Sequence, residues 1–357
     1  VRVPVSYIFQ IGRQSNIVEN DDRSFLWPIR FLFLKMISKR YLLSLLFILL
    51  YQASIGQQKQ VAITLDDAPF TTWSERTSLR TIEEANSSIL RTVSRYNVPV
   101  CIFINESPLI KEGETDARIN VLKQWLSSPL VTAGNHSYSH PNYANMELAA
   151  FQDEIIKGEV ITKKLLEGTG RSLQYFRFPF NALGRDSITK TTMQTFLKDK
   201  GYINTPFTIE SSDYLFNTLY QQALNKNDKT RAKVIADAYI SYTISVFEYF
   251  ETLSQQQYQR QVPQIFLGHV NALHADCIAI LIEQLKRKGY TFIDLTTALK
   301  DDVYKQHDYY AGPYGFSWFY RWERDTQKRK KLLQSQPEPP DEIYQQYLKA
   351  IRTVPAN

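Results

Sequence analysis

The sequence predicts an α/β domain: a parallel sheet with helices packed outside it. Three observations point there. β-rich runs alternate with helical stretches about seven times between residues 60 and 295. The clearest run, NVPVCIFIN at 97–105, is apolar throughout its centre, as strands buried on both faces are. No glycine-rich dinucleotide fingerprint interrupts the pattern. Strict alternation of this kind requires crossover connections, and those place helices on the outside of the sheet.

The elements follow in order. Gln60 to Leu65 (QVAITL) is the first strand, and it ends in Asp66-Asp67. Apolar positions at helical spacing predict a helix over 77–96, and the second strand is 97–105. A helix is predicted over 114–127, after which LVTAG leads into Asn135-His136. Residues 145–168 read as one helix, acidic early and stopped by Gly168. SLQYFRFP (172–179) is a strand, Asp186 to Lys200 a helix ended by Gly201, and YINTPFTI (202–209) a strand. A long helical stretch covers 228–260, and PQIFLGH (263–269) is a strand. Residues 275–288 form a helix ended by Gly289, and YTFIDL is the last strand. In a barrel of this type, chemistry sits at the C-terminal ends of the strands. Asp66, Asp67, Arg177, Asp213 and His269 fall at or just after such ends, and His136 follows a weaker strand-like run.

Composition narrows the function classes. With 43% hydrophobic residues the chain can bury a large core, which excludes wholesale disorder, collagen and low-complexity repeats. Two cysteines exclude a disulfide scaffold and a cysteine-built zinc finger; Cys101 in a strand and Cys277 in a helix read as buried thiols. The formal charge of +6 suggests a nucleic-acid partner until its position is examined. Residues 1–56 hold seven basic and three acidic residues, which leaves 35 basic and 33 acidic in 57–357. The mature chain is therefore close to balanced, and no nucleic-acid partner is expected.

The leader explains the excess. Met36 is followed by Lys39-Arg40, then the apolar run YLLSLLFILLY at 41–51, then Ser54 and Gly56. This is the pattern of a secretory signal peptide over 36–56, cut between Gly56 and Gln57. The run is short of the ~20 apolar residues of a membrane span. Membrane contact is expected only through this leader if it stays uncleaved. Residues 1–35 precede the signal and read as a non-native upstream segment. The expected location is outside the cytoplasm, periplasmic or extracellular. Residues 57–300 then form the catalytic domain. Residues 301–357, aromatic and basic with a PEPP break at 337–340, form a C-terminal extension. Its basic stretch Arg321 to Lys331, with Trp318 and Trp322 nearby, reads either as a solvated helix or as a contact for anionic polymer or membrane.

Several residue sets carry chemistry. Asp66-Asp67 after an apolar strand is either a turn or cap pair or two carboxylates aimed at one pocket. His136 and His140 in HSYSH are two of only five histidines, four residues apart, and read either as a pair of partly buried structural histidines or as two ligands of a first-row metal. Asp67 would complete an Asp-His-His set. Three protein ligands leave positions open for water and substrate, the mark of a catalytic site. Arg177 in FRFPF is either a surface ion-pair partner or the fork that orients a catalytic carboxylate. Asp213 in ESSDY reads as a helix cap or a functional acid, and His269 in LGH as a core histidine or a catalytic one. His274 and His307 have no partner pattern around them and read as structural.

Over residues 59–298 these motifs resemble the polysaccharide deacetylase family, the NodB-like carbohydrate esterase family 4. TLDD at 64–67 resembles the family's T-F-D-D, HSYSH at 136–140 its H-[ST]-x-x-H, and RFPF at 177–180 its R-x-P-[YF]. ESSDY at 210–214 weakly resembles D-x-x-D-W, and LGH at 267–269 resembles L-x-H. The resemblance implies a distorted (β/α) barrel of about seven strands that hydrolyses N- or O-acetyl groups on sugars. It implies that Asp67, His136 and His140 hold a divalent metal, zinc first and cobalt, nickel or manganese as alternatives. It implies that Asp66 is the general base, Arg177 its orienting partner, His269 the general acid and Asp213 the group that tunes it. Phe180, Tyr214 and Leu267 would line the substrate pocket, with a backbone N–H near Phe180 facing the oxyanion. The expected partner is an acetylated glycan of peptidoglycan, chitin-like or xylan-like type. Departures from the pattern are Leu65 for Phe, Glu210 for the first Asp of the fourth motif, Tyr214 for Trp, and Asn181 where Gly is common. The long connection 215–262 is a candidate roof over the cleft or a candidate association surface. The competing readings are a non-catalytic glycan-binding barrel and another amide hydrolase, deformylase-like, on the same scaffold.

Overall fold

Among the described residues, eight parallel strands form one curled sheet with helices on its outer face. They are β1 (Lys59–Ala68), β2 (Val100–Ile104), β3 (Val131–Asn135), β4 (Tyr175–Phe176), β5 (Ile203–Asn204), β6 (Ile209–Glu210), β7 (Gln264–His269) and β8 (Tyr290–Phe292). Seven run in the order β5-β4-β3-β2-β1-β7-β6, and β8 pairs with the first residues of β1. The end strands β5 and β6 do not pair with each other, so the barrel is open along one seam. The distorted (β/α) barrel expected from the sequence is the observed architecture. This computed structural model describes residues 58–71 and 78–352, so the expected leader, 1–56, lies outside the described residues. No helix among the described residues is long and apolar enough to cross a membrane.

The helices form where periodicity placed them. α1 (Leu79–Tyr96) starts on Ser78, whose side chain accepts from Thr81 N, and buries Ile82, Ala85, Ile89 and Val93 on one stripe. α2 (Thr115–Ser127) buries Val121, Leu122 and Trp125. Cys101 and Cys277 are free and buried, as read from the sequence.

Two elements differ from the sequence expectation. The helix expected over 145–168 is two helices, α3 (Leu148–Lys157) and α4 (Val160–Leu166), broken at Gly158. The break has a packing cause: a Cβ on Gly158 would lie 2.6 Å from the Ser137 carbonyl carbon. The strand expected over 202–209 is split into β5 and β6 on opposite ends of the sheet. Thr205 N bonds Phe176 O at 2.8 Å, while Thr208 N bonds Ile265 O at 2.9 Å. The chain therefore crosses the seam between them, and Pro206 at the crossing has no N–H for a ladder. The strand read over 172–179 is likewise only Tyr175–Phe176.

The segment after β8 packs onto this seam. Trp318 N donates to Phe207 O at 3.0 Å and Ser317 Oγ to Thr208 O at 2.6 Å. Trp318, Phe319, Tyr320 and Trp322 join the main hydrophobic core. Arg321 is fully buried against Asp308, and Arg329 is buried with its guanidinium on the Tyr320 and Glu323 carbonyls. These two charges point inward, so the reading of Arg321 to Lys331 as one exposed basic face fails for them.

Candidate active site

The site lies at the C-terminal ends of β1, β3, β4 and β7. Adjacent residues of a regular strand face opposite ways. Here the pairing of β1 with β2 runs Leu65 to Ile102 and then Ala68 to Ile104, one extra residue on β1. That bulge, with Asp67 at φ 59°, turns the Asp66 and Asp67 carboxylates into one cleft. Asp66 is 1% exposed.

The histidines stand on the loop after β3, and its backbone is tied down at each step. Asn105 Nδ2 donates to the His136 and Ser137 carbonyls, at 2.5 and 3.1 Å. Asn135 Oδ1 accepts from Ser137 N at 2.8 Å, and Ser137 Oγ accepts from His140 N at 3.2 Å. Ser137 and His140 both take positive φ, 66° and 60°. The spacing of four thus works through a tight loop and not a helical turn. Left-handed non-glycine residues are held only where surrounding structure fixes them.

This loop brings three ligand atoms together. His136 Nε2 and His140 Nε2 lie 3.5 and 3.3 Å from Asp67 Oδ1, and all three donor atoms fall within 4.8 Å of one another. Asp67 Oδ1 is buried and makes no hydrogen bond. His136 Nδ1–H donates to the Arg177 carbonyl at 2.8 Å, which leaves Nε2 facing the cleft. Burial, then the nearby His140, lower the His136 pKa to about 3, so the ring stays neutral as a ligand must be. An orphaned carboxylate oxygen facing two imidazole nitrogens fits a divalent cation.

Arg177 joins the two halves. Its Nη1 donates to Asp66 Oδ1 at 2.7 Å and to Thr64 Oγ1 at 2.7 Å, and Nη2 donates to Pro206 O at 3.2 Å. The guanidinium lies 4.2 Å over the Phe103 ring and is fully buried. Asp66 Oδ2 is left 3.7 Å from His136 Nε2, on the side of the ligand set.

Across the cleft, His269 Nδ1–H donates to Asp213 Oδ1 at 2.7 Å, and its backbone N–H donates to Asp213 Oδ2 at 3.0 Å. Asn271 Nδ2 adds a third bond to this carboxylate at 2.7 Å. Burial would raise the Asp213 pKa, but His269 and His274 outweigh it and hold it near 2. Burial would lower His269, but the charge and hydrogen bond of Asp213, then Asp67 and Asp66, raise it to about 10. His274, read from sequence as structural, is fully buried beneath this pair. Its Nδ1–H donates to the His269 carbonyl at 2.7 Å, and its Nε2 accepts from Tyr239 at 2.6 Å. Gly268 makes room for it: a Cβ there would lie 2.4 Å from His274 Cε1. Sequence reasoning missed Asn105, Thr64, Asn271 and Tyr239 as supports, and no local pattern marks them.

Asp66, Asp67, His136, His140 and His269 all face one cavity of about 490 Å³. Leu267, Tyr214 and Phe180 line it, as do Glu210 and Phe250. Burial, then Asp213, raise the Glu210 pKa to about 7. Phe180 and Asn181 hold φ of 56° and 49°, so Asn181 takes the left-handed conformation for which glycine is common. Asp213 is the first residue of a helix, α6 (Asp213–Asn225), yet its carboxylate serves His269. Phe250 comes from α7 (Lys229–Tyr258), the long connection read as a candidate roof.

Residues 54–201 match the family model described as polysaccharide deacetylase. A curated relative, the peptidoglycan-N-acetylglucosamine deacetylase of Bacillus cereus, is 25% identical over 138 residues. The match covers 39% of this chain and 42% of the relative, so the chain spans under half the length of the curated relative it matches. Among solved structures, the peptidoglycan deacetylase PdaC from Bacillus subtilis is 16% identical with a TM-score of 0.41, covering 68% of this chain and 91% of that one. An acetyl xylan esterase of family 4 from Clostridium thermocellum, solved with a cobalt ion, is 17% identical with a TM-score of 0.44 over the same shares, 68% and 91%. A CE4 family pseudoenzyme from Bacillus anthracis is 17% identical with a TM-score of 0.44, covering 68% of this chain and 66% of that one. Residues 54–201, which hold the TLDD, HSYSH and RFPF motifs, are thus what this chain shares with the polysaccharide deacetylase family.

Proposed function

We propose that this protein is an exported, metal-dependent hydrolase that removes N- or O-acetyl groups from a glycan. One observation carries the reading: the unbonded Asp67 Oδ1 faces His136 and His140, with a second carboxylate, Asp66, and an imidazole, His269, on the same cavity. Zinc is the favoured metal for two imidazoles and a carboxylate, with cobalt, nickel or manganese as alternatives. When bound, the cation supplies Lewis acidity that activates water and polarises the acyl carbonyl.

The chain's own residues do the rest. Asp66, fixed by Arg177 at 2.7 Å, takes a proton from the attacking water. Only Oδ1 is tied to the guanidinium, so Oδ2 remains to receive it. His269, oriented through Nδ1 by Asp213, gives a proton from Nε2 to the leaving amine or alcohol. Leu267, 2% exposed, supplies an apolar wall for the acyl methyl beside Tyr214.

Acetate release from acetylated chitooligosaccharide, peptidoglycan and acetylxylan tests this reading. Release from at least one substrate, lost on Asp66→Asn, is the expected result. No release from any of them with metal present would refute it.

A further inference from the structure

Two histidines flank one carboxylate. Asp213, fully buried, accepts from His269 Nδ1 at 2.7 Å through Oδ1, and His274 Nδ1 lies 3.2 Å from its Oδ2. His269 opens on the cavity, while His274 is fully buried beneath it. One negative charge cannot balance two imidazolium rings in such a place, because a buried charge without a partner is costly. Lys190 of α5 (Ser187–Asp199), also buried, has a carboxylate of its own, Asp308 at 2.8 Å. Among the described residues, His274 is paired with no carboxylate but Asp213, which already serves His269.

The hydrogen bonds show which ring goes without the charge. His274 Nδ1 faces the His269 carbonyl at 2.7 Å; a carbonyl only accepts, so Nδ1 carries the hydrogen. Its Nε2 faces the Tyr239 hydroxyl at 2.6 Å. Ser211 Oγ donates to the Tyr239 oxygen at 3.3 Å, which points the phenol proton at Nε2. Nε2 is then the acceptor and the ring is neutral. Burial acts in the same direction, holding the His274 pKa below its ordinary value.

Tyr239 stands on α7, the long connection between α6 and β7. Its ring packs edge-on against His274 and Phe216, at 5.5 and 5.4 Å between centroids. The titratable groups facing the Tyr239–His274 pair are Asp213 of α6, His269 at the end of β7 and Cys277 of α8 (Ala272–Arg287). Burial pushes the Cys277 thiol up to about 12, so Asp213 is the one anion among them.

We propose that Tyr239 and His274 are positioning residues for His269: the phenol proton on Nε2 keeps the His274 ring neutral, so that Asp213 serves His269 alone. The long connection thereby acts on the site from beneath, through a side chain that touches no substrate. The proposal rests on the deacetylase reading for the task it gives His269, while the proton assignment stands on the hydrogen bonds.

Long-range proton–nitrogen NMR of the imidazole rings in the full, nitrogen-15-labelled chain tests the assignment, with His274→Gln identifying the signals. The expected spectrum has a proton on His274 Nδ1 and none on Nε2 throughout pH 6 to 9. Both nitrogens protonated, or the proton on Nε2, would overturn the inference. Tyr239→Phe keeps the ring and removes only the donor, so His274 should take up its second proton at a higher pH than in the unaltered protein. The loss in kcat for acetate release should grow as pH falls, about 3-fold at pH 8 and about 10-fold at pH 6 with KM little changed, because the charged ring then competes for Asp213. An equal loss at both pH values would show a merely structural Tyr239 and overturn the inference. No acetate release from any substrate would refute the proposed function, and the ring spectra would still decide the proton assignment.

Discussion

Arg177 and His136 hold each other from opposite directions: the Arg177 carbonyl accepts His136 Nδ1–H at 2.8 Å, while the Arg177 guanidinium reaches away to Asp66 at 2.7 Å. One residue at the end of β4 thus sets the tautomer of a candidate metal ligand and the aim of the candidate base. Distances between those two groups are fixed by a single backbone position.

Arg177→Ala should therefore cost stability and activity together. It strips a buried carboxylate of its partner, a change that costs about 3–5 kcal/mol. Arg177→Lys should not rescue it, because a single ammonium cannot serve Asp66, Thr64 and Pro206 at once. Thermal unfolding and acetate release of both variants check this. Unchanged melting in Arg177→Ala would contradict it.

Zinc should stabilise the folded chain through Asp67, His136 and His140. At 100 times its dissociation constant, a ligand of the native state adds about 2.7 kcal/mol. Calorimetry should show one zinc per chain and a raised melting temperature. His140→Ala, a partly exposed position, should remove both effects while the metal-free protein melts close to the unaltered one.

The His269–Asp213 pair makes a signed pH prediction. The raised pKa of His269 adds stability that is full below its ordinary 6.5 and lost as pH rises through about 10. The depressed pKa of Asp213 adds stability that is full above its ordinary 3.8 and lost as pH falls through about 2. Asp213→Asn should accordingly lower the melting temperature more at pH 6 than at pH 10. It should also move the alkaline limb of kcat/KM to lower pH, since His269 then loses its proton earlier. An alkaline limb that stays in place would show that His269 is not the titrating acid.

Gly268→Ala should impair catalysis without touching any group that meets substrate. The added Cβ would meet His274 Cε1 at 2.4 Å and push the ring that supports the His269 carbonyl. A loss in kcat of about 10-fold, with KM little changed, is expected. Equal kcat in the variant would mean that His274 does not position His269.

The sequence made the site legible where residue type and spacing do the chemistry locally. Asp66, Asp67, His136 and His140 stand in short motifs, and the strand ends that carry them were readable from apolar runs. Less was legible where a distant contact decides. YINTPFTI reads as one strand, but its halves pair with β4 and β7 on opposite ends of the sheet, and only Pro206 hints at the crossing. Gly158 looks like an ordinary helix residue until the Ser137 loop packs on it. The aromatic run at 316–322 reads as an appendage because its partners, Phe207 and Thr208, lie over 100 residues earlier. His274 has no sequence neighbour that reveals Tyr239 above it.

The most direct test of the metal-centred account is a zinc titration of the chelator-stripped protein, with acetate release and bound metal measured in the same samples. The account predicts no release from the stripped protein and a rate that rises in step with bound zinc, reaching its plateau at one equivalent. Full release without metal, or one bound equivalent with no release from any acetylated glycan, would contradict it.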